Sequence, residues 1–175
     1  MVLEAIRYKR GELQILDQLQ LPHTEVYDDI YSSKDAWHAI KEMRTRGAPA
    51  IAIVAALGLA VELETMYSRK ELSNEAEEVK VFIQEKLEYL KTSRPTAVNL
   101  TDAAQKLEQI VATAAQASDA SGTSVKDVYV QAAEKMLVDD VSDNEAIGHH
   151  GAEWIMKNAN KGTDQVSVLT HCNTG

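Results

Sequence analysis

The spacing of apolar and polar residues at the start of the chain predicts a small β-sheet. Two short apolar stretches, LEAIRY and LQILDQLQL, are separated by KRGE. Gly11 in that link can supply the positive φ that a tight turn often needs, so we expect a β-hairpin. A third strand-like stretch, TEVYDDIY, follows Pro22.

A helix should begin directly after these strands. Ser32 is followed three residues later by Asp35, which resembles a capping box at a helix amino end. We expect this helix to end at Gly47, because glycine commonly follows the last helical residue. Its apolar positions recur at helical spacing; they are Trp37, Ile40 and Met43.

Longer helical patterns fill the middle of the chain. Pro49 suits the first position of the next helix, where its fixed φ fits and its missing N–H is not needed. This apolar helix should extend to about Glu64, and it is followed by amphipathic patterns. The predicted amphipathic helices cover residues 74–91 and 96–117, and then 125–137 and 143–158.

The last part of the chain indicates a second domain. The segment SDASGTS, at 118–124, is rich in Ser and Gly, and we interpret it as a domain boundary. QVSVLT near the end is β-branched and apolar, as expected for the first strand of a parallel sheet. We therefore predict an α/β protein: an α+β domain of short strands and a helical bundle over 1–118, then over 119–175 the start of a truncated, Rossmann-like domain.

Composition and charge exclude several classes of function. Lys and Arg number 18 against 27 Asp and Glu, for a net charge of −9, so we expect no broad surface for nucleic acid or an anionic membrane. The run APAIAIVAALGLAVEL is shorter than the roughly 18 to 20 residues of a membrane span, and we predict a buried helix. One cysteine and no signal-like amino end indicate a reducing compartment.

A candidate anion site lies in RTRGAPAIAI. A glycine before a helix leaves backbone N–H groups available at the positive end of the helix dipole, and Arg46 adds a planar set of donors. Arg46, Gly47 and Ala48 could together hold one phosphate. The residues alone leave a second interpretation open, in which Arg46 is a solvated helix end and Gly47 caps the preceding helix.

A second arginine stands before a predicted helix in TSRPTAVNL. Pro95 biases Arg94 to an extended conformation and can start a helix, so the guanidinium of Arg94 should lie at another helix amino end. A structural role for Arg94 stays open. His149 and His150 are adjacent but lack a third metal ligand at a recognised spacing, so we interpret them as surface residues and predict no metal site.

The third candidate is the only cysteine, Cys172, in LTHCNTG. The carboxyl end of a parallel strand is where open α/β sheets bind their ligands. The alternative is that Cys172 is a small buried apolar residue, the usual environment of a free cysteine. His171 should point to the opposite face of a strand, which argues against a Cys–His catalytic pair.

In combination these motifs resemble the methylthioribose-1-phosphate isomerase family over the whole chain. The motifs are the hairpin with GELQILDQLQLP, then MRTRGAPAIAIVAALGLAVEL, SRPTAVNL, DNEAIGHHGAEW and VSVLTHCNTG. The residues of LEAIRY and LDQLQLP resemble the animal form of the family. The resemblance implies an aldose–ketose isomerase of methionine salvage that uses no metal and no organic cofactor. It further implies a homodimer when full length and a cytoplasmic location, with the nucleus as a second compartment.

The resemblance also assigns roles to the candidate residues. It implies that Arg46, with Gly47 and Ala48 beside it, and Arg94 hold the sugar phosphate, and that Cys172 stabilises the transition state. The proton-donating aspartate of the family lies beyond Gly175. We therefore expect the 175-residue chain to be inactive by itself and its last strand to aggregate or to need a partner.

Three alternatives stay open, one of them a closely related enzyme. The wider family includes the regulatory subunits of the guanine-nucleotide exchange factor for the initiation factor that delivers initiator tRNA, which are interaction proteins. A related isomerase acts on ribose 1,5-bisphosphate. The short chain could also be a non-catalytic partner of a full-length subunit. The arginine in RGAPAI and the cysteine in THCNTG favour the isomerase.

Overall fold

The computed structural model describes residues 3–159 and 166–169. Within these residues, a small sheet precedes a bundle of helices. The strands are β1 (Ile6–Lys9), β2 (Glu12–Leu16) and β3 (Tyr27–Asp29). The helices are α1 (Ser33–Lys41), α2 (Ala48–Ser68), α3 (Ala76–Lys91), α4 (Val98–Ala115) and α5 (Gly122–Asn158).

The predicted hairpin and third strand form an antiparallel sheet in the order β1-β2-β3. Ile6 lies opposite Ile15 and Tyr8 lies opposite Leu13. Gly11 has a φ of +83° in the turn, a conformation that glycine adopts without steric cost. Leu13 and Ile15 are buried, and β2 packs its apolar face against α2.

Helix α2 is the centre of the fold. It contacts α1, α3, α4 and α5, and it is apolar on all sides because it is surrounded. At 21 residues α2 is long and apolar enough to cross a membrane, so the expectation that the run is too short was wrong. However, 67% of the apolar stretch of α2 is buried inside the fold, as predicted for a buried helix.

The amphipathic helices α3 and α4 agree with the predicted ranges to within two residues at each end. Each lays its apolar stripe against the core, since residues three and four apart share one face of a helix. The buried residues of α3 are Val79, Ile83, Leu87 and Leu90. Those of α4 are Leu100, Ala103, Ala104, Leu107 and Val111.

Helix α5 is one continuous helix of 37 residues, so the two separate helices predicted for this region were wrong. Apart from Val141, residues 139–145 are polar, but they remain helical. Local pairs support this stretch: Lys135 donates to Asp139 at 2.6 Å, and Asn144 donates to the carbonyl of Asp140 at 2.7 Å. The Lys135–Asp139 ion pair is of the i,i+4 kind that stabilises exposed helices.

The start of α5 belongs to the same core as the helices before it. Ser121 and Ser124 form a capping box, and Tyr129 is fully buried, with its hydroxyl donating to the carbonyl of Ala56 at 3.1 Å. The domain boundary near residue 118 stays a prediction. Residues 166–169 do not form the predicted strand, and Leu169 is 95% exposed.

Candidate functional site

The candidate anion site lies in the link between α1 and α2. Helix α1 ends at Lys41, six residues earlier than the predicted stop at Gly47. The reason is Met43, whose φ of +61° is left-handed. A left-handed residue ends a helix as glycine usually does, and here Arg44 N donates back to the carbonyl of Ala39 at 2.9 Å.

Gly47 begins α2. Its φ is +92° and its ψ is 129°, and it occupies the N-cap position of α2 with no side chain capping the helix. This corrects the alternative in which Gly47 caps the preceding helix. Ile51 N donates to the carbonyl of Gly47 at 3.0 Å, while Pro49 has no N–H. The amino end of α2 therefore keeps uncapped N–H groups at the positive end of its dipole.

Arg46 is held beside this helix end. Its Nε donates to the carbonyl of Met43 at 3.2 Å, and its side chain is half-buried. Arg46 and Gly47 line a recess of about 270 Å³. The other lining residues come from the sheet, from its connections and from α5: Leu3, Ala5, Leu16, Gln18, Leu21, Pro49, Ala50, Asp140 and Asn144.

Arg94 lies in a turn directly before α4. Its carbonyl accepts from Ala97 N at 2.9 Å, so Arg94 to Ala97 form a turn and α4 begins only at Val98. Arg94 is half-buried and is not among the residues that line the Arg46 recess. The structure thus groups Arg46, Gly47 and Ala48 at one helix end and places Arg94 one turn before another uncapped helix.

A second recess lies between α2, α4 and α5 and has a volume of about 500 Å³. It shares Pro49 and Asp140 with the Arg46 recess, so the two open side by side at the start of α2. Asn99, in the first turn of α4, also lines it. The sequence reasoning missed this recess, and the available signal was the helical spacing of Ala132, Met136, Asp140 and Asp143.

A polar bridge between the hairpin and α5 contains groups with shifted pKa values. Glu134 accepts from Arg10 Nε at 2.9 Å and from the Tyr8 hydroxyl at 3.0 Å. Hydrogen bonding from Arg10 holds the pKa of Glu134 below its usual range, against the effect of burial. Burial, with the hydrogen bond to Glu134, raises the pKa of Tyr8, so the bridge is built from a carboxylate and a neutral phenol.

The carboxyl half of α5 carries three side chains whose ligand atoms lie close enough together to contact one metal ion. His149, His150 and Glu153 have ligand atoms within 4.8 Å of one another, and all three residues are exposed. His149 Nε2 lies 3.3 Å and His150 Nδ1 lies 3.7 Å from the carboxylate of Glu153. The surface interpretation of the two histidines is confirmed. Cys172, the third candidate site, lies outside the described residues.

Comparison with known proteins identifies the family. The profile described as the Initiation factor 2 subunit family matches residues 44–175. The chain therefore belongs to the Initiation factor 2 subunit family.

Curated relatives with high sequence identity share one enzyme name. A methylthioribose-1-phosphate isomerase of Pyrenophora tritici-repentis is 70% identical over 100% of this chain and 44% of its own length. One of Aspergillus terreus is 59% identical over 100% of this chain and 46% of its own length. The chain thus spans somewhat less than half the length of these relatives.

Two solved structures share the fold. A 5-methylthioribose 1-phosphate isomerase from Pyrococcus horikoshii is 32% identical in sequence and superposes with a TM-score of 0.76. The match covers 87% of this chain and 40% of the Pyrococcus chain. The delta subunit of the translation initiation factor eIF-2B from A. fulgidus is 29% identical with a TM-score of 0.72, covering 87% of this chain and 42% of its own. The fold is therefore common to an enzyme and to an initiation-factor subunit.

Proposed function

We propose that the intact protein is a methylthioribose-1-phosphate isomerase, which converts methylthioribose 1-phosphate to methylthioribulose 1-phosphate in methionine salvage. The observation that carries this proposal is the uncapped amino end of α2 at Gly47, with the Arg46 guanidinium held beside it. The 70% identity to a relative of that name supports the choice of substrate.

In the proposed reaction the chain's own residues bind and orient the sugar phosphate. The N–H groups at the start of α2 and the guanidinium of Arg46 are donors suited to the phosphate, and Arg94 supplies a second positive group. We assign Cys172 to stabilisation of the transition state.

The chemistry is an internal transfer of hydrogen. The phosphate on C1 blocks the anomeric oxygen, so the sugar ring must open before the aldose can become a ketose. Opening breaks the bond between C1 and the ring oxygen, which takes up a proton. Hydrogen then moves from C2 to C1, and the C2 hydroxyl gives up its proton as it becomes the carbonyl of the product. No atom is gained or lost. Donors that are fixed in place before the reaction act best on charge that develops in the transition state.

We further propose the assembly and location that accompany this activity. Residues 119–175 open a Rossmann-like second domain, and the substrate binds between that domain and the α2 end. The intact protein is a homodimer of the cytoplasm and the nucleus that uses no metal or organic cofactor and binds neither nucleic acid nor membrane. The relatives are more than twice as long as this chain, which supports the second domain.

A second candidate function is a non-catalytic regulatory subunit. The TM-score of 0.72 to the eIF-2B delta subunit favours it, since the same fold serves both roles. The RGAPA and HCNTG motifs favour the isomerase, because a scaffold has no need of a phosphate-binding arginine together with a thiol.

The test is an isomerase assay on the intact protein, expressed from its complete coding sequence. Purified protein is incubated with methylthioribose 1-phosphate, and formation of the ketose carbonyl is followed by carbon NMR. We expect steady turnover of this substrate. Absence of turnover, together with co-purification of exchange-factor subunits, would support the regulatory role instead.

A further inference from the structure

The recess between α2, α4 and α5 has an apolar floor. Ala52 and Ile53 of α2 and Leu107 of α4 are buried, and Ala132 and Met136 of α5 line the recess with them. Its volume of about 500 Å³ is in the range of small-molecule sites. The recess begins at Pro49, two residues beyond the Gly47 N-cap.

The chemistry of this floor suits a thioether. Met136 is half-buried, with a flexible and polarizable side chain that adapts to a small apolar group. The floor lies next to the Arg46 recess, since Pro49 and Asp140 line both. A sugar with its phosphate at the start of α2 can therefore direct its other end into this floor.

The rim of the recess carries several carboxylates. Asp102 pairs with Lys106 at 2.7 Å, and Asp139 pairs with Lys135 at 2.6 Å. Among the described residues, no side chain of opposite charge pairs with Asp140 or Asp143. Unneutralised carboxylates repel a second anionic group, so the rim disfavours a ligand with phosphate at both ends.

We propose that this recess is the specificity subsite for the methylthio end of the substrate, with Met136 as the contact to the methylthio group and Asp143 as the charge that rejects a bisphosphate. This inference rests on the proposed function and deepens it. It predicts a preference for methylthioribose 1-phosphate over ribose 1-phosphate, which has a hydroxyl at that end, and over ribose 1,5-bisphosphate.

The first test replaces Met136 by glutamine, which is close in size but polar. The intact protein and its variants are assayed with methylthioribose 1-phosphate and with ribose 1-phosphate. Met136→Gln should lower the ratio of the two kcat/KM values about tenfold or more, the usual weight of a small apolar group in a pocket. Met66→Gln is the matched control, since Met66 is also half-buried but lies at the far end of α2. It should leave the ratio at the wild-type value.

Two further variants test the subsite independently. Ala132→Leu fills the recess and should lower the same ratio even where Met136→Gln fails to fold, as judged by circular dichroism. Asp143→Lys should raise kcat/KM for ribose 1,5-bisphosphate about tenfold, because it replaces a repulsion by an attraction.

The outcomes separate this inference from the proposed function. A wild-type protein that turns over methylthioribose 1-phosphate, with a ratio unchanged by Met136→Gln and Ala132→Leu, would overturn the subsite and leave the isomerase standing. A wild-type protein without turnover of that substrate would overturn the isomerase and the subsite together. A lowered ratio in either variant, with Met66→Gln unchanged, supports the subsite.

Discussion

Lys126 Nζ donates to Glu64 Oε1 at 2.8 Å and so joins α5 to α2. The Lys126 side chain is only 4% exposed, and its Nζ also lies 2.7 Å from Asp127 Oδ1 and 4.5 Å from the centroid of the Tyr67 ring. This buried ammonium is therefore neutralised by two carboxylates and rests against an aromatic face.

We predict that Lys126→Ala destabilises the chain strongly, because Glu64 loses its partner while remaining mostly buried. Loss of one member of a buried pair costs about 3 to 5 kcal/mol. Because the Glu64 side chain is 18% exposed, we expect the unfolding free energy to fall by about 3 kcal/mol, the lower end of that range. Urea titration followed by circular dichroism measures it. The control is Lys135→Ala, whose exposed pair with Asp139 should contribute about 0.5 kcal/mol. Equal losses in the two variants would contradict the prediction.

Two glycines within helices should respond to alanine in opposite directions. A Cβ added at Gly58 of α2 meets the Cβ of Ala36 at 2.6 Å, whereas one added at Gly148 of α5 meets nothing within 4 Å. Gly58→Ala should lower the unfolding free energy by about 1 to 3 kcal/mol through overpacking. Gly148→Ala should raise it by about 0.5 to 1 kcal/mol through helix propensity. Denaturant titrations with the same sign for both variants would refute this reading of the α1–α2 contact.

Acid should weaken the bridge from the hairpin to α5. The pKa of Glu134 is lowered in the fold by Arg10, so its contribution to stability is complete above the unfolded pKa of about 4.3. That contribution is lost as the pH falls through the lower folded pKa. The unfolding free energy of the wild type should therefore fall more steeply from about pH 5 downwards than that of Glu134→Gln. The control is Glu145→Gln, an exposed change on the same helix, which should keep the wild-type dependence of unfolding free energy on pH. The same pH dependence in all three proteins would argue against the bridge.

Arg46 should matter for substrate and little for folding. Arg46 makes a hydrogen bond to the carbonyl of Met43, so Arg46→Ala should leave the unfolding transition nearly unchanged. In the intact protein, loss of a charged donor to phosphate should lower kcat/KM for methylthioribose 1-phosphate about 10- to 100-fold. Arg69→Ala, at the C-cap of the same helix, should leave kcat/KM at the wild-type value. An unchanged kcat/KM in Arg46→Ala would remove the α2 end from the site.

The shared fold of isomerases and initiation-factor subunits makes the local site the deciding feature. Function is carried by particular side chains placed on a fold, and a fold by itself does not select between them. Under the proposed function, the features of this chain that select the isomerase are Arg46 with Gly47 and the apolar floor beside them. These are the residues to compare first when another member of the family is assigned a role.

Local signals in the sequence predicted much of the fold. The apolar periodicities of α3 and α4 and the Ser32 cap, whose hydroxyl accepts from Asp35 N at 3.3 Å, depend on residues within one or two turns. The Gly11 turn is equally local. The end of α1 was missed because Met43 adopts a left-handed φ that methionine gives no reason to expect. The continuity of α5 was missed because a polar stretch can be either a turn or an exposed helix.

By itself, the sequence determined the three short strands and the approximate ranges of α2, α3 and α4, and it marked Arg46 and Gly47 as a candidate anion site, because these features depend on neighbours along the chain. The tertiary structure alone decided that Lys126 pairs with Glu64, that α2 is enclosed on all sides, and that an apolar recess opens beside the start of α2. Each of these arises from helices distant in sequence, and their packing against one another is settled only when the whole core assembles.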